Sequence, residues 1–303
     1  MVNITHKSST LRQAIAKAIV VVSQQETMEA VNQRKVPKGD IFEFARAAGL
    51  LAIKKTSDVI PDCHPLPVEY AAISYQTEGL EIHITVEVHT VYKTGVEVEA
   101  MHGASVAALT MYDMLKPIDK AVYISTIKSE SKKGGKTDYK DQFTDGLKAS
   151  VIVCSDSVSK KEKTDTAGLK VVEKLKKNNI EVINHSVIPD DFDLIQRNAK
   201  KYSNALCNLI VFVGGTGLSP RDVTPDAIKP LLTREIPGIM ETARSYGQQR
   251  IPYAMLSRGI AGFINKTLVL TLPGSPRGAA ETMDALFPYL LHVFKIAEGM
   301  RHD

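Results

Sequence analysis

The chain has 303 residues, 44% hydrophobic and 24% charged. At roughly 100–200 residues per domain that length calls for two domains, and the composition excludes a wholly disordered chain. No run of about 18 apolar residues is present, which excludes a membrane-spanning helix. The opening MVNITHKSST has neither the basic nor the apolar region of a secretory signal, so a cytoplasmic protein is expected. Cys63, Cys154 and Cys207 are odd in number and widely spaced, which argues for reduced thiols over a disulfide framework or a zinc knuckle. The net charge is +4, with 18 basic and 18 acidic side chains in residues 1–150 and 20 against 16 beyond. That excess is too small to imply nucleic-acid binding, and there is no tryptophan. It suits small phosphorylated anions equally well.

In chain order, helical stretches are expected at about 9–22, 40–55 and 103–116. Residues 80–91 read LEIHITVEVHTV, with Leu80, Ile82, Ile84, Val86 and Val88 alternating against Glu81, His83, Thr85, Glu87 and His89. Such alternation marks a half-buried strand of an antiparallel sheet, with 67–76 as its partner. The first half is therefore α+β. From Lys128 to Lys148 the chain is polar and Lys-rich, as a linker would be, which places the boundary near 140–148 and the two domains at 1–143 and 149–303. Beyond it, SVIVCSDS, EVINHSVIPDD, LIVFVGGTG and TLVLTLPGSP are continuously apolar runs ending in small or acidic residues, three of them separated by helical stretches. They predict an α/β domain: a mostly parallel sheet with helices on both faces, binding its ligand at the carboxyl ends of the strands.

Five pieces of the first half carry candidate chemistry: KGD (Lys38–Asp40), PDCHP (Pro61–Pro65), TGVEVEA (Thr94–Ala100), YDMLK (Tyr112–Lys116) and KKGGK (Lys132–Lys136). Asp113 and Lys116 share a helix face, either as a surface ion pair or as a lysine tuned by burial and a carboxylate for proton exchange. Glu97 and Glu99 alternate along an extended stretch and would point the same way, on a solvated face or in a pocket. Cys63 reads as a buried thiol and His64 as a turn histidine with no metal partner at ligand spacing.

In order and spacing these pieces resemble, over residues 2 to about 143, the cyclic pyranopterin monophosphate synthases of molybdenum cofactor biosynthesis, the MoaC family. KGDIFEFARAAGLLAIKKTSDVIPDCHPL, TGVEVEAMHGASVAALTMYDMLKPIDK and KKGGKTD carry the likeness. The resemblance implies a ferredoxin-like antiparallel sheet with helices, and conversion of a cyclised dihydroguanosine triphosphate to a cyclic pyranopterin monophosphate with release of pyrophosphate and no cofactor. It assigns Lys38, Asp113 and Lys116 to acid–base and phosphate activation. His64, Glu97 and Glu99 take pterin-facing and supporting positions, and Arg12, Lys54 and Lys136 further phosphate contacts. Asp62 and Val98 depart from the family pattern, in which an apolar residue and a methionine are usual.

In the second half, GGTGLSPRDVTPD (Gly214–Asp226) follows an apolar strand and precedes a helix, so its backbone N–H groups could converge on an anion. It is neither a Walker loop nor a dinucleotide fingerprint; a plain tight turn is the alternative. Asp190 and Asp222, expected at the ends of neighbouring strands, could hold Mg²⁺ through phosphates and water, unless Asp190 or Asp191 merely caps a helix. Ser155, Asp156, Asp165 and Ser275 fall at the same edge.

Residues 149 to about 301 resemble the molybdopterin adenylyltransferases of the MogA and MoaB group, on GGTG-x-SPRDVTPDA, REIPGIMETAR, AMLSRGIAG and LVLTLPGSPRGAAE. The resemblance implies that the domain binds molybdopterin and activates it with Mg·ATP. It matches Asp190 and Asp222 to adenylyl transfer and metal, and Gly214, Gly215, Thr216, Gly217 and Ser219 to the phosphate cradle. A non-catalytic pterin-binding scaffold is the alternative for this half. Pterin and nucleotide are the implied small-molecule partners, with other cofactor-synthesis proteins possible and neither nucleic acid nor membrane expected. Both resemblances imply threefold assemblies, hence a hexameric homo-oligomer with first-half sites shared between subunits.

Overall fold

The computed structural model describes residues 1–135, 138, 146–205 and 207–299. The chain divides into two compact units, Met1–Tyr139 and Lys140–Asp303.

The first unit runs β1 (Thr10–Val21), α1 (Gln25–Asn32), α2 (Ile41–Lys54), α3 (Thr56–Val59), β2 (Tyr70–Glu78), β3 (Glu81–Tyr92), α4 (Glu97–Leu115) and β4 (Tyr123–Lys133). Its sheet is antiparallel in the order β2-β3-β1-β4, the ferredoxin-like arrangement. The alternation in β3 is realised: Ile82, Ile84, Val86 and Val88 are buried.

Two elements differ from expectation. The stretch at 9–22 is strand β1, not a helix. Its buried positions are Arg12, Ala14, Ala16, Ala18 and Val20, while the larger Ile15 and Ile19 take the opposite, half-buried face. Period-two burial carried by alanines is hidden when residues are ranked by size, and alanine is a helix former besides. Secondly, β4 reaches Lys133, so Lys128–Lys133 of the polar segment read as linker are strand, paired with β1. A strand at the edge of a sheet tolerates lysines that a central one would not.

Helices α2 and α4 cover one face of the sheet, where Ile41, Ala45 and Ile53 meet Ala100, Ala104, Ala107 and Met111 above Ala16, Ala18, Ile84 and Val86. They lie antiparallel: Lys38, before α2, bonds Asp113 near the end of α4, and Thr56, after α2, lies 3.1 Å from His102 near its start. The close pairing requires glycine at 103, where a Cβ would sit 2.6 Å from Ile53 Cγ1.

The second unit runs β5 (Lys148–Cys154), α5 (Asp156–Ser159), α6 (Ala167–Lys177), β6 (Glu181–Ile188), α7 (Phe192–Asn204), β7 (Leu209–Val213), α8 (Thr224–Ile228), β8 (Arg234–Glu235), α9 (Pro237–Gln248), β9 (Ala261–Ile264), β10 (Thr267–Leu272), α10 (Pro276–Leu286) and α11 (His292–Ala297). The sheet order is β6-β5-β7-β10-β9-β8; the first four strands are parallel, and β9 and β8 close the edge antiparallel. Both faces are covered. Val151 and Val153 pack with Val171, Leu175 and Met283 on one side, and Ile152 and Cys154 with Ile195, Ala199 and Ile228 on the other. Strands buried on both faces are continuously apolar for that reason. No helix among the described residues is long and apolar enough to cross a membrane.

Candidate active sites

In the first unit the candidate residues fall into two groups at opposite ends of the α2/α4 pair. At one end, Asp40 caps α2 by accepting from the backbone N–H groups of Phe42 and Glu43, which fixes the KGD turn and aims Lys38 at α4. Lys38 Nζ reaches Asp113 Oδ2 at 2.7 Å and the Asp113 carbonyl at 2.9 Å; Lys116 Nζ reaches Asp113 Oδ1 at 2.7 Å. One carboxylate thus bridges two ammonium groups. Hydrogen bonds from Lys116 and Lys38 hold the Asp113 carboxyl down at about 2, and Asp113 in turn pushes the Lys116 ammonium above the usual lysine range. Of the two readings of Asp113 and Lys116, the ion pair on an exposed face is the one observed, and tuning of the lysine by burial is not. Lys116 is half exposed beside an anion, so its charged form is favoured.

The other end gathers Arg12, His64, Glu97 and Glu99. Glu97 and Glu99 are not on an extended stretch: they form the first turn of α4, where residues two apart face different ways. Glu97 pairs with Lys132 of β4 at 3.2 Å, whereas Glu99 turns inward and is 2% exposed. The Cys63 thiol donates to Glu99 Oε1 at 3.3 Å, and Glu99 Oε2 has no partner. Burial pushes the Glu99 carboxyl up; burial and the neighbouring carboxylate raise the Cys63 thiol to about 11, which leaves it no nucleophile. His64 Nε2 lies 2.8 Å from the Val2 carbonyl. Arg12 is buried and its Nε donates to the Tyr92 carbonyl, anchoring it where β1, β3 and β4 end together. Lys54 is exposed at the end of α2, about 20 Å of helix from the KGD turn. Lys136 lies outside the described residues.

The second unit brings six of its candidates to one cleft at the carboxyl ends of β5 and β7. There the chain leaves β5 for β6 on one side and continues to β7 on the other, the switch point at which such sheets open a crevice. A cavity of about 370 Å³ is lined by Ser155, Asp165, Asp190, Gly214, Gly215 and Asp222 among others. Asp190 and Asp222 do not follow neighbouring strands, as the sequence had suggested; β5 lies between β6 and β7, and the loops bring the two carboxylates together over it. Gly214 (φ +109°) lies so close to β5 that a Cβ would sit 2.2 Å from the Cys154 carbonyl, and Gly215 (φ +63°) fits between Asp190 and Thr224.

The capping question resolves in favour of Asp191, which caps α7 by accepting from Leu194 N–H at 2.7 Å and leaves Asp190 to the cleft. Asp190 and Asp156 exchange backbone-to-carboxylate hydrogen bonds, each 3.2 Å, while Asp190 Oδ1 is buried without a partner. Burial first, then the charges of Asp156 and Asp222, push the Asp190 carboxyl up. Asp222 Oδ2 accepts from Ser219 N–H at 2.9 Å and shapes the loop. Asp165 accepts from Gly168 N–H and His185 Nε2, both at 2.7 Å. Ser155 and Ser275 cap α5 and α10, and Ser275 also lines a separate pocket of about 230 Å³. Thr216 and Gly217 are tied through their carbonyls to Arg258.

No group of three or more His, Cys, Asp or Glu among the described residues forms a metal cage. Two carboxylates, one with a buried free oxygen, do fit Mg²⁺, which keeps its waters and takes further oxygens from phosphates. Sequence reasoning missed the Cys63–Glu99 contact, the His185–Asp165 pair and Arg258. All of them lay in stretches already singled out, Cys63 in PDCHP, Glu99 in TGVEVEA, His185 in EVINHSVIPDD and Arg258 in AMLSRGIAG, but spacing along the chain does not show which side chains meet.

Fold and sites define a fused pair of units, an antiparallel α+β unit followed by a mostly parallel α/β unit, each with its own cluster of polar side chains. The MoaC family profile matches residues 1–135, and that of the "Probable molybdopterin binding domain" family residues 150–292. The molybdenum cofactor biosynthesis bifunctional protein of Chlorobaculum tepidum is 35% identical over 302 residues, covering 100% of this chain and 96% of that one. The cyclic pyranopterin monophosphate synthase of Listeria monocytogenes is 46% identical over 138 residues, covering 45% of this chain and 86% of that one. The molybdopterin biosynthesis enzyme MoaB of Thermus thermophilus is 37% identical, covering 52% of this chain and all of that one, with a TM-score of 0.49. The chain belongs to the family of bifunctional molybdenum cofactor biosynthesis proteins, a MoaC unit followed by a MogA/MoaB-type unit.

Proposed function

We propose that the first unit converts a cyclised dihydroguanosine triphosphate to cyclic pyranopterin monophosphate and pyrophosphate, and that the second adenylylates molybdopterin with Mg·ATP. The observation that carries the first reading is Asp113 held between Lys38 and Lys116. Two ammonium groups on one carboxylate offer charge for a triphosphate and, in Lys116, a proton donor for ring opening. The groups at the far end of α4, Glu99 with Cys63 and His64, supply a buried carboxyl suited to a polar heterocycle.

A single chain keeps these two groups about 21 Å apart, the rise of α4 from Glu99 to Asp113. We therefore infer sites shared between two copies, within a threefold hexamer. Exposed apolar side chains on the helices between the two groups, Phe44, Leu51, Leu109 and Tyr112, offer the contact surface. In a twofold pair each end of one helix pair would meet the opposite end of the other, which completes two sites at once.

For the second unit the supporting observation is Asp190 Oδ1, buried, unpaired and beside the glycine loop. Asp190 and Asp222 would hold Mg²⁺, which when bound neutralises phosphate charge during adenylyl transfer. The loop amides would hold the phosphates and Asp165 a polar group of the ligand. Three free cysteines accord with a reducing, cytoplasmic setting. The test is direct: the full chain, given the cyclised triphosphate, should yield cyclic pyranopterin monophosphate and pyrophosphate; given molybdopterin and Mg·ATP, it should yield adenylylated pterin. Absence of either product removes that half of the reading.

A further inference from the structure

The second half of the loop Gly214–Val223 is bonded within itself, between Ser219 and Asp222, from Arg221 N–H to Ser219 Oγ and from Val223 N–H to the Arg221 carbonyl; its base is tied by Gly214 N–H to the Leu272 carbonyl and by Thr224 N–H to the Gly215 carbonyl. The Thr216 and Gly217 carbonyls between them are held from outside the loop. Arg258 precedes β9 and is separated from the loop in sequence by α8, β8 and α9. Its Nε donates to the Gly217 carbonyl at 2.8 Å, and one terminal nitrogen donates to the Asp222 carbonyl. The other terminal nitrogen donates to both oxygens of Asp226 in α8, at 3.1 and 2.9 Å. The backbone N–H of Arg258 adds a bond to the Thr216 carbonyl at 2.9 Å.

We propose that Arg258 is a positioning residue that locks the glycine loop into its anion-binding shape. This rests on the adenylyltransferase reading for the ligand, a nucleoside triphosphate, but not for the loop. A planar guanidinium has donors in three directions at fixed angles and can tie two carbonyls and a carboxylate at once; a lysine ammonium on its flexible stem cannot hold all three in one plane. The consequence for the loop is geometric. In a trans peptide the N–H points opposite to the C=O, so drawing the Thr216 and Gly217 carbonyls to Arg258 turns the N–H groups of Gly217 and Leu218 the other way. Amides fixed before the ligand arrives cost no ordering on binding. Asp226 is the counter-charge that keeps the guanidinium in place.

The test uses the full chain with Arg258→Met, which keeps an unbranched stem and removes every side-chain donor, together with Arg258→Lys and Asp226→Asn. Two readouts are taken: backbone amide exchange over residues 214–223, and Mg·ATP affinity by calorimetry. Arg258→Met should speed exchange in the loop while β5 and β7 stay protected, and weaken Mg·ATP about tenfold or more, the loss expected for charge-assisted hydrogen bonds. Arg258→Lys should fall between, and Asp226→Asn should have the smallest effect because the carbonyl bonds remain. If Arg258→Met does not fold, Arg258→Lys decides on the same two readouts. Loop exchange and affinity at wild-type levels would overturn the inference. A wild type that binds no Mg·ATP, alongside faster loop exchange in the variant, would sink the adenylyltransferase reading and leave the positioning role standing.

Discussion

Glu99 and Asp113 sit on one helix, α4, about 21 Å apart, and each anchors a separate group of polar side chains at its end of the first unit. A rigid helix cannot bring its own ends together, so a site that uses both groups takes them from two chains.

Complementation follows from that separation. Lys116→Ala should lower cyclic pyranopterin monophosphate formation by about 10²- to 10⁴-fold, as expected for a lost proton-transfer group, and Glu99→Gln by about tenfold or more, as expected for a lost charged hydrogen-bonding partner of the heterocycle. Mixed after dissociation, the two variants should recover about a quarter of wild-type activity, since about half of random pairs are mixed and each holds one intact site. Lys38→Ala mixed with Lys116→Ala should recover nothing, because both residues belong to the Asp113 end. Recovery in the second mixture and none in the first would reverse the assignment.

The charge state of Lys116 is a second consequence. Asp113 raises the Lys116 pKa above its ordinary 10.5, so the ammonium persists through neutral pH and is lost only as the pH climbs through that raised value. Asp113 stays ionised until the pH falls toward about 2. Side-chain NMR titration should therefore show no Lys116 transition between about pH 6 and 9, and Asp113→Asn should move its titration downward. A transition below pH 9 in the wild type would restore the neutral-pH base that the sequence had suggested.

Glu99 gives the opposite sign. Burial raises its pKa above the ordinary 4.5, so at pH 7 the ionised form destabilises the fold relative to the unfolded chain. Glu99→Gln should raise the melting temperature of the first unit by on the order of a few degrees at pH 7, with the gain vanishing as pH falls below the unfolded value near 4.5. The same variant loses activity, the usual exchange of stability for function. A lower melting temperature at pH 7 would mean that the Glu99 carboxylate has a cation partner.

In the second unit, Gly214→Ala would place a Cβ against the Cys154 carbonyl at a φ of +109°. The conformation alone costs about 1–3 kcal/mol, and the clash adds to it. Urea unfolding should show the second unit weakened by at least that amount and the first unit's transition unmoved. Equal stability would mean that the loop is free to shift.

Much of this was legible in the residues. The alternation of β3 and the apolar runs of β5, β7 and β10 follow directly from which faces are buried. What stayed hidden had physical causes. In β1 the inward residues are alanines, small because α4 lies close above them, so the hydrophobic signal pointed to the wrong face. Glu97 and Glu99 alternate in sequence, yet helix α4 starts six residues before the expected 103 and separates them, one toward Lys132 and the other toward Cys63. Asp190 and Asp191 are equivalent as letters; only the cap geometry of α7 tells which one is free. Arg258 holds the loop through carbonyls that any residue possesses, and its one side-chain partner, Asp226, lies 32 residues away, so the sequence does not announce it.

Two independent chemistries in one chain are the central expectation for this protein. The full-length protein should be assayed in parallel for cyclic pyranopterin monophosphate from the cyclised triphosphate and for adenylylated molybdopterin from Mg·ATP, in the wild type, Lys116→Ala and Asp222→Asn. The expected result is crosswise: the wild type makes both products, Lys116→Ala only the adenylylated pterin, and Asp222→Asn only the cyclic phosphate. A wild type that makes no adenylylated pterin, or a single substitution that abolishes both products, would contradict it.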